Sequence, residues 1–417
     1  MVNSCLRRLY CKNVGLFEEL DIEFNDKFNY LVGPNGCGKS SVFKCIAIIF
    51  NETQFDSLRY GPESENWVEY YYNDKTYRIG LGPNWVENYN LYRGIRKFTW
   101  ISPPKEKNVT PLTAHHLEEN NLKICPLFIG AYRRIDYHRI IGMTRENHPL
   151  EQRNNFRSKS ISNLEGMNLP NVKQWMINRY FTLEKEWAKV QRRNWDWLIE
   201  NFSKIAPKGF SFNLFEIRED LEPKFNLNGN ICYLEELSAG YQALLSLIFY
   251  IFDWIEGVNE GDYDRYVKNA TGTVIIDELD IHMHPEWQLT IRETLDDLFP
   301  NLQFIVSTHS PHMVATANPN ELLIFEGVSR KVKLKPTSKT YSGWTTDQIL
   351  EDLMGVKNLE SKEYNILLKY AFDSISRNNT NDLKGIIKEI EQISHPSDTV
   401  VSQLKIKLAS MLTRDNL

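Results

Sequence analysis

Short apolar runs bounded by polar loops recur along the chain, and segments with helical spacing follow them. The runs are FNYLV at 28–32, TVIID at 273–277 and QFIVS at 303–307. Strands that are apolar on both faces are typical of a parallel sheet covered by helices on its two sides. The pattern therefore predicts an α/β fold built on a mixed sheet.

Two further patterns predict elements outside that sheet. The aromatic-rich stretch at 67–81, with an Asn-Asp-Lys turn in its middle, and the stretch RKFTWIS at 96–102 predict an antiparallel β-subdomain. Residues 136–210 are aromatic-rich, basic and helical in spacing, which indicates an inserted helical domain. The tail has the same spacing at positions 364, 367, 368, 371 and 375 and again at 383, 386, 387 and 390, which predicts a small helical bundle.

Composition limits the classes of function. The chain has 417 residues, 42% of them hydrophobic and 25% charged, and a net charge of -5, so it has no general affinity for nucleic acid or anionic membranes. Its longest apolar run, at 243–252, is shorter than the roughly 20 residues that cross a bilayer. Six scattered cysteines and a start without signal-peptide features predict a reduced, cytoplasmic protein without membrane contact.

The segment GPNGCGKS at 33–40 carries the strongest chemical signal. It places glycines, a lysine and a serine in the order G-x-x-x-x-G-K-S between a predicted strand and a predicted helix, which is the pattern of a phosphate-binding loop. Backbone N–H groups and the helix N-terminus would hold the phosphates, Lys39 would reach the β- and γ-phosphates, and Ser40 would bind Mg²⁺. The predicted nucleotide-binding residues here are Asn35, Gly36, Cys37, Gly38, Lys39, Ser40 and Ser41.

Cys37 allows two interpretations. A helix N-terminus lowers a thiol pKa, so Cys37 could be reactive, and its alkylation would then block nucleotide binding. The simpler interpretation is a neutral side chain that fills space, because the motif does not constrain this position.

Polar residues follow the other two predicted strands. Asp277 and Glu278 end the run at 273–277, where a parallel sheet presents ligand-binding groups; Asp277 would hold Mg²⁺ and Glu278 would act as general base. His309, just after the run at 303–307, would lie near the γ-phosphate and the attacking water. His282 and His284 lack a third ligand nearby, so we do not interpret them as a metal site.

Four motifs in this order, GPNGCGKS, LSAGYQ, VIIDE and STHS, resemble the Walker A, signature, Walker B and switch-histidine motifs of ABC-type ATPases. The resemblance covers about residues 1–60 and 210–335. It implies that Ser238, Ala239 and Gly240 close over the γ-phosphate of ATP bound by another chain's Lys39. Because the chain has one set of motifs, the implied active unit is a homodimer or a higher homo-oligomer.

The wording around the motifs resembles the soluble branch that includes the SMC, RecF and OLD-like ATPases, and within it the bacterial anti-phage ATPases of Septu and retron systems. That resemblance implies a separate nuclease partner, of the HNH type or a retron effector. OLD nucleases add a Toprim domain with an Asp-x-Asp pair, and this chain has no such pair after Ser310, so no nuclease is expected in the chain itself. The family's glutamine loop has no clear counterpart, since FIGAYRRID at 128–136 offers no glutamine.

The helical insertion is locally basic. Residues 133–193 contain 13 Lys and Arg against 6 Asp and Glu. This excess is either a phosphate-binding face or a solvated helical surface. Arg192 and Arg193 are the predicted contacts to DNA or to a protein partner, while the tryptophans at 175, 187, 195 and 197 are expected to build the domain's core.

The predicted organisation has four parts: 1–135 with Walker A and the β-subdomain, 136–210 as the insertion, 211–335 with the other motifs, and 336–417 as the tail. The preferred function is an ATPase that dimerises around ATP and Mg²⁺ and controls a nuclease in anti-phage defence. Two alternatives stay open. One is a RecF-like or SMC-like ATPase that clamps DNA; the other is a sensor that binds ATP without appreciable hydrolysis.

Overall fold

The computed structural model describes residues 4–51, 54–87, 98–168, 171–205, 211–357 and 361–414. The chain divides into two compact units, Met1–Gly355 and Val356–Leu417. The finer division into four parts at 135, 210 and 335 stays a prediction.

The first unit contains all the described strands. They are β1 (Ser4–Val14), β2 (Phe17–Glu23), β3 (Phe28–Val32), β4 (Tyr60–Tyr72), β5 (Lys75–Leu81), β6 (Val109–Leu112), β7 (Leu127–Ile129), β8 (Phe212–Glu216), β9 (Lys224–Leu227), β10 (Asn230–Tyr233), β11 (Gly272–Ile276), β12 (Leu302–Ser307), β13 (Leu322–Ile324) and β14 (Lys331–Leu334).

The α-helices of the first unit lie between and after these strands. They are α1 (Lys39–Phe50), α2 (Pro149–Ser158), α3 (Ser160–Leu164), α4 (Val172–Thr182), α5 (Lys189–Asn201), α6 (Ala239–Val258), α7 (Pro285–Leu298), α8 (Pro311–Ala315) and α9 (Thr346–Asp352).

A five-stranded parallel sheet of order β13-β3-β12-β11-β7 forms the centre of the first unit. Its side chains alternate between two cores, as a pleated sheet requires. In β11, Val274 and Ile276 enter one core and Ile275 enters the other. The fully apolar runs in the sequence are therefore explained by burial on both faces, and the predicted α/β fold is confirmed.

On one face, α1 lies between the parallel sheet and a six-stranded sheet of order β14-β2-β1-β4-β5-β6. The predicted hairpin is β4 and β5, which pair antiparallel through a two-residue turn. Asn73 and Asp74 occupy that turn with φ values of 47° and 60°, which asparagine and aspartate tolerate better than most residues. The stretch predicted as a strand at 96–102 is different: its described residues, 98–102, contribute only an isolated bridge between Phe98 and Val86, and β6 forms the sheet edge.

The other face is covered by α4, α5, α6 and α7, and α8 and the three-stranded sheet β10-β9-β8 add to this side. Helix α6 is apolar around most of its circumference because it lies inside this core. Trp254, near its end, packs on Gly272 at the start of β11, while Gly240, near its start, packs on Trp287 beyond the end of β11. The N-terminus of α6 therefore lies at the same edge of the sheet as the carboxyl ends of the strands. No helix in the described part of the chain is long and apolar enough to cross a bilayer.

The tryptophans of the insertion belong mostly to the central core. Trp175 stacks on Trp195 with ring centroids 6.2 Å apart, and it also contacts Phe249 of α6 at 5.2 Å. Trp197 donates its indole N–H to the carbonyl of Leu298 in α7. The helices at 149–201 are thus fixed to the central core of the first unit instead of enclosing a core of their own, and Trp187 stays 68% exposed.

The second unit consists of α10 (Lys362–Ser376), α11 (Thr380–Ile393) and α12 (Thr399–Arg414). Ala371, Leu383, Ile387 and Ile390 lie in its small apolar core, at the helical spacing that the sequence predicts. The expected helical bundle is confirmed for this part of the tail.

Candidate functional site

Three adjacent strands end at one place and bring the predicted motifs together. β3 leads into the loop at 33–38, β12 ends at Ser307 just before His309, and β11 ends one residue before Asp277. Because β12 pairs with both β3 and β11 in parallel, their carboxyl ends meet at the same edge of the sheet. This edge is where open α/β sheets bind ligands.

Glycine is required at both ends of the loop. Gly33 has a φ of 154°, and a Cβ there would lie 2.7 Å from the Cβ of Phe325. Gly38 has a φ of 107°, and a Cβ there would lie 2.7 Å from the ring of Phe17. Gly38 also precedes the first residue of α1 and offers no side chain to cap it, so the loop delivers an open helix N-terminus to the site.

Lys39 is folded back into this loop. Its Nζ donates to the carbonyl oxygens of Gly33 at 2.9 Å and Pro34 at 3.2 Å. Burial lowers the pKa of Lys39, and the nearby Cys37, Asp277, Glu278 and Asp280 act in the opposite direction. The lysine is therefore placed within the electrostatic reach of the acidic strand end.

The surroundings of the loop cysteine favour its neutral thiol form. Cys37 is buried, and burial raises its pKa, an effect that exceeds the lowering by Lys39 and by backbone hydrogen bonds. The Sγ lies 3.9 Å from Nζ of Lys39. Of the two interpretations, the structure favours the neutral side chain that fills space, because desolvation outweighs the effect of the helix N-terminus on the thiol pKa.

The acidic residues are held by hydrogen bonds to the next strand. The hydroxyl of Ser307 donates to Oδ1 of Asp277 at 2.5 Å and accepts from the backbone N–H of Glu278 at 2.7 Å. Glu278 has a φ of 49°, a left-handed conformation that is uncommon for a glutamate. The backbone at 277–278 is thus fixed in a tight turn at the carboxyl edge of the parallel sheet.

His309 lies half-buried beside these groups. Its backbone N–H donates to Oδ1 of Asp280 at 3.1 Å. Burial lowers its pKa, and the positive charge of Lys39 lowers it further. His309 is accordingly a neutral imidazole at pH 7, able to donate from one ring nitrogen and accept at the other.

Arg133 is a residue that sequence reasoning missed at this site. It follows β7 by four residues and is only 2% exposed, with its guanidinium on the backbone carbonyls of 277–279. The sequence feature that could have indicated Arg133 is its position in FIGAYRRID, the segment that offers no residue for the family's glutamine loop.

The residues expected to hold Mg²⁺ have suitable chemistry. The hydroxyl of Ser40 is exposed in the first turn of α1, and the carboxylate of Asp277 has one oxygen on Ser307. In the described part of the chain no three His, Cys, Asp or Glu side chains cluster closely enough to hold a metal ion. A hydroxyl and a single carboxylate fit Mg²⁺, which retains water and substrate oxygens as its other ligands.

The residues of LSAGYQ lie at the N-terminus of the 20-residue helix α6. Ser238 and Ala239 are exposed, and the Ser238 side chain makes no capping hydrogen bond. Within the described residues of one chain, no hydrogen bond joins this turn to the loop at 33–41. The turn is therefore available to another molecule, and its role at a shared nucleotide stays a prediction.

His282 and His284 lie on the turn between Asp277 and α7. His282 has a φ of 61°, and its carbonyl packs close to Gly240. Nδ1 of His284 accepts from the backbone N–H of Glu286 and so caps α7. The backbone contact of His282 and the side-chain cap of His284 are both structural roles.

Much of the basic excess in 133–193 is internal. Arg153, Arg157 and Arg179 are buried, and each pairs with a carboxylate that lies outside the segment. Lys173 is also buried and pairs with Glu235 at 3.0 Å. A charge count could not show this, because partners such as Glu118 and Glu256 lie elsewhere in the sequence.

Arg192 and Arg193 are exposed, as expected for contacts to a partner. Nε of Arg192 donates to the carbonyl of Leu183 at 2.5 Å, and the guanidinium of Arg193 lies 3.9 Å from the ring centroid of Tyr266. Their contact to DNA or protein stays a prediction.

Comparisons with known proteins agree with this architecture. A family model described as an AAA ATPase domain matches residues 159–314, and one described as an AAA domain matches residues 8–74. The Septu protein PtuA of Bacillus thuringiensis is 25% identical over 415 residues, which are 97% of this chain and 98% of that protein. The Retron Vc95 probable ATPase of Vibrio cholerae serotype O1 biovar El Tor is 31% identical over 166 residues, 40% of this chain.

The match covers only 32% of the length of the Retron Vc95 probable ATPase. Among solved structures, the SmcHead bound to the C-winged helix domain of ScpA aligns with a TM-score of 0.46 and 14% identity, covering 82% of this chain and 99% of that chain. The resemblance that the motifs indicate is confirmed: the chain has the fold of a P-loop ATPase and is similar to a Septu protein and to a probable ATPase of a retron system.

Proposed function

We propose that the protein is a Mg²⁺-dependent ATP hydrolase that dimerises around ATP and thereby controls a separate nuclease in anti-phage defence. The observation that carries the proposal is the convergence of Lys39, Asp277, Glu278 and His309 at the carboxyl ends of β3, β11 and β12. These groups come from three separate segments, so their meeting at one edge supports a common site.

The side chains divide the work of hydrolysis. The open N-terminus of α1 and the ammonium of Lys39 bind the triphosphate, after Lys39 exchanges loop carbonyls for phosphate oxygens. Ser40 and Asp277 would hold Mg²⁺, which when bound would supply positive charge to the phosphates. The carboxylate of Glu278 accepts the proton of the attacking water, and neutral His309 orients that water or the γ-phosphate by a hydrogen bond.

Dimerisation is proposed from the N-terminus of α6. Ser238 and Ala239 are exposed there, at the proposed nucleotide edge of the sheet, and the helix behind them is largely buried. A 20-residue helix with an open N-terminus favours an anion in front of it. A second copy that presents its triphosphate to this turn would complete both sites of a symmetric dimer.

Control of a nuclease is proposed from the similarity to PtuA over nearly the whole chain and to a retron ATPase over part of it. ATP-driven closure of the dimer would change the surface offered to that partner. The inward pairing of much of the basic segment leaves less exposed positive charge for a duplex, so we rank direct clamping of DNA lower.

The test compares the wild type with Glu278→Gln. Steady-state ATP turnover should fall about a hundredfold or more in the variant, because the general base is lost while the shape of the side chain is kept. Light scattering with ATP and Mg²⁺ should show the variant trapped as a dimer. Equal turnover in both proteins would overturn the proposal, and absence of turnover in the wild type would leave a binding sensor as the function.

Co-purification addresses the partner. Expression with a nuclease encoded beside this gene should yield a complex whose nuclease activity depends on ATP. A stable association with DNA in place of the nuclease would favour the clamping alternative.

A further inference from the structure

Arg133 lies where the edge strand β7 passes the end of β11. β7 pairs with β11 in parallel up to Ile129 and Ile276, and the N–H of Asp277 then donates to the carbonyl of Ile129 at 2.9 Å. The chain continues from Ile129 across the turn at 277–279. Arg133 therefore reaches the catalytic edge from the side opposite to Ser307, because β12 lies on the other side of β11.

The guanidinium binds the main chain of the acidic turn at three points. Nη1 donates to the carbonyl of Asp277 at 3.2 Å, and Nη2 donates to the carbonyls of Glu278 at 2.5 Å and Leu279 at 3.4 Å. Three consecutive carbonyl groups share one planar cation, which fixes their relative orientation.

Hydrogen bonds consequently hold the backbone of Glu278 at both its N–H and its carbonyl group. Its N–H donates to the hydroxyl of Ser307, and its carbonyl accepts from Arg133. Its φ of 49° is in a sparsely populated region for glutamate, and such a conformation persists only where the surroundings impose it. Arg133 and Ser307 are the surroundings that do so.

The other buried arginines of this region are held differently. Arg153, Arg157 and Arg179 each pair with at least one carboxylate, which neutralises their charge. Arg133 has hydrogen bonds to backbone carbonyls alone, and its Nε has no partner among the described residues. Burying a cation without a paired carboxylate costs folding free energy. Here the positive charge of Arg133 interacts with Asp277, Glu278 and Asp280, just beyond the carboxyl end of β11.

We propose that Arg133 is a positioning residue for ATP hydrolysis: its guanidinium fixes the left-handed turn at Glu278 and so aims the general base. The proposal rests on the proposed function, because it assigns a task within that same site. Arg133 itself makes no hydrogen bond to the phosphate loop or to Lys39 in the described structure, so its effect is expected on turnover and not on nucleotide binding.

The experiment compares Arg133→Ala, Arg133→Lys and the matched control Arg134→Ala. Arg134 is the adjacent residue of the same type, with a side chain 61% exposed and paired with Asp136 at 2.5 Å. For each full-length variant we would measure kcat and KM for ATP, the Kd of a fluorescent ATP analogue and the thermal unfolding midpoint. Each Arg133 variant would also be combined with Glu278→Gln.

In Arg133→Ala, kcat should fall about a hundredfold while KM and the analogue Kd change by less than about threefold. Arg133→Lys should recover part of kcat, since an ammonium keeps the charge and some of the donors. Removing Arg133 should add no further loss in the Glu278→Gln background, because the two residues act through one step. Arg134→Ala should match the wild type.

Other results would overturn the proposal. If kcat, KM, Kd and the unfolding midpoint all shift together, or if the loss adds fully to that of Glu278→Gln, Arg133 has a general structural role. The same conclusion follows if both Arg133 variants fail to fold. A wild type that hydrolyses ATP through Glu278, beside an Arg133→Ala variant with unchanged kcat, refutes the role of Arg133 alone; a wild type without turnover refutes the proposed function first.

Discussion

Ser307 and Asp277 are joined by a 2.5 Å hydrogen bond between the ends of neighbouring parallel strands, with the serine hydroxyl as donor to Oδ1. The same hydroxyl accepts from the N–H of Glu278. One buried side chain on β12 therefore orients both the proposed Mg²⁺ ligand and the proposed general base just after β11, which makes Ser307 part of the site.

Ser307→Ala should lower both turnover and stability. Loss of the hydroxyl leaves the N–H of Glu278 and an oxygen of Asp277 without their partner, which costs about 1–3 kcal/mol in unfolding free energy, and kcat should fall about tenfold. Urea unfolding and steady-state turnover measure the two effects. Ser329→Ala, where the hydroxyl lies on an exposed turn, is the control and should be neutral. An unchanged kcat in Ser307→Ala would show that the carboxylates need no such orientation.

Two glycines of helix α6 form a matched pair. A Cβ on Gly240 would lie 2.6 Å from the Trp287 ring and 2.7 Å from the carbonyl of His282, whereas a Cβ on Gly257 would meet only Gln152 at 3.6 Å. Gly240→Ala should destabilise the protein by about 1–3 kcal/mol through overpacking. Gly257→Ala should be neutral or stabilising by up to about 1 kcal/mol, because alanine favours the helix. Chemical denaturation decides, and equal effects would mean that the packing at the start of α6 is loose.

The plot of kcat against pH should decline on its acidic side because of His309. Burial and Lys39 lower its pKa from the ordinary 6.5, so the neutral imidazole persists below that pH. kcat should hold as pH falls to 6.5 and decline as His309 becomes protonated at lower pH. His309→Asn should have a lower kcat and no such decline. A decline at the same pH in the variant would assign it to another group.

The same shift predicts a stability difference. A group whose pKa is lowered on folding resists protonation in the native state, so its burial destabilises the native protein as pH falls below the unfolded pKa. The wild type should therefore lose stability relative to His309→Asn below pH 6.5 and match its trend above that value. Urea titrations at several pH values test this without any measurement of activity.

Limited alkylation should distinguish the cysteines. Burial raises the pKa of both Cys37 and Cys232, but Cys37 is buried and Cys232 is the more exposed of the two. Iodoacetamide should therefore label Cys232 first, without loss of ATP binding, and peptide mapping would show Cys37 unmodified at that stage. A Cys232→Ser variant should keep its ATP binding during the same treatment. Labelling of Cys37 at a comparable rate would mean that the loop opens readily.

The sequence could predict the type of an element where the residues of that element alone indicate its burial. It could not predict contacts between segments that are distant in the chain. β3, β11 and β12 are apolar on both faces, so their type follows from their own residues. Arg133 and Ser307 are 144 and 30 positions from Asp277, and no spacing rule relates them. These contacts depend on strand order, which places β7 and β12 on either side of β11.

The tryptophans of the insertion show a related limit. Helical periodicity identifies an apolar face on 172–201 and thus the existence of the helices, but it does not identify what covers that face. Trp175 contacts Phe249, which lies on a helix 74 positions later in the chain. These helices therefore share the central core of the first unit and do not enclose the separate core that the sequence predicted.

Complementation between two inactive variants tests the shared site directly. Lys39→Ala removes the phosphate lysine, and Ser238→Arg places a bulky cation on the exposed, uncapped turn of α6; each homodimer should have little turnover. In a mixed dimer the intact loop of one copy faces the intact turn of the other. Because random pairing makes about half of all dimers mixed, each with one complete site of two, an equal mixture should regain about a quarter of wild-type turnover. Differently tagged copies would confirm that mixed dimers form, and the double variant mixed with itself gives the baseline. If mixed dimers form and remain as inactive as either parent, the loop and the turn do not act on the same nucleotide across the dimer.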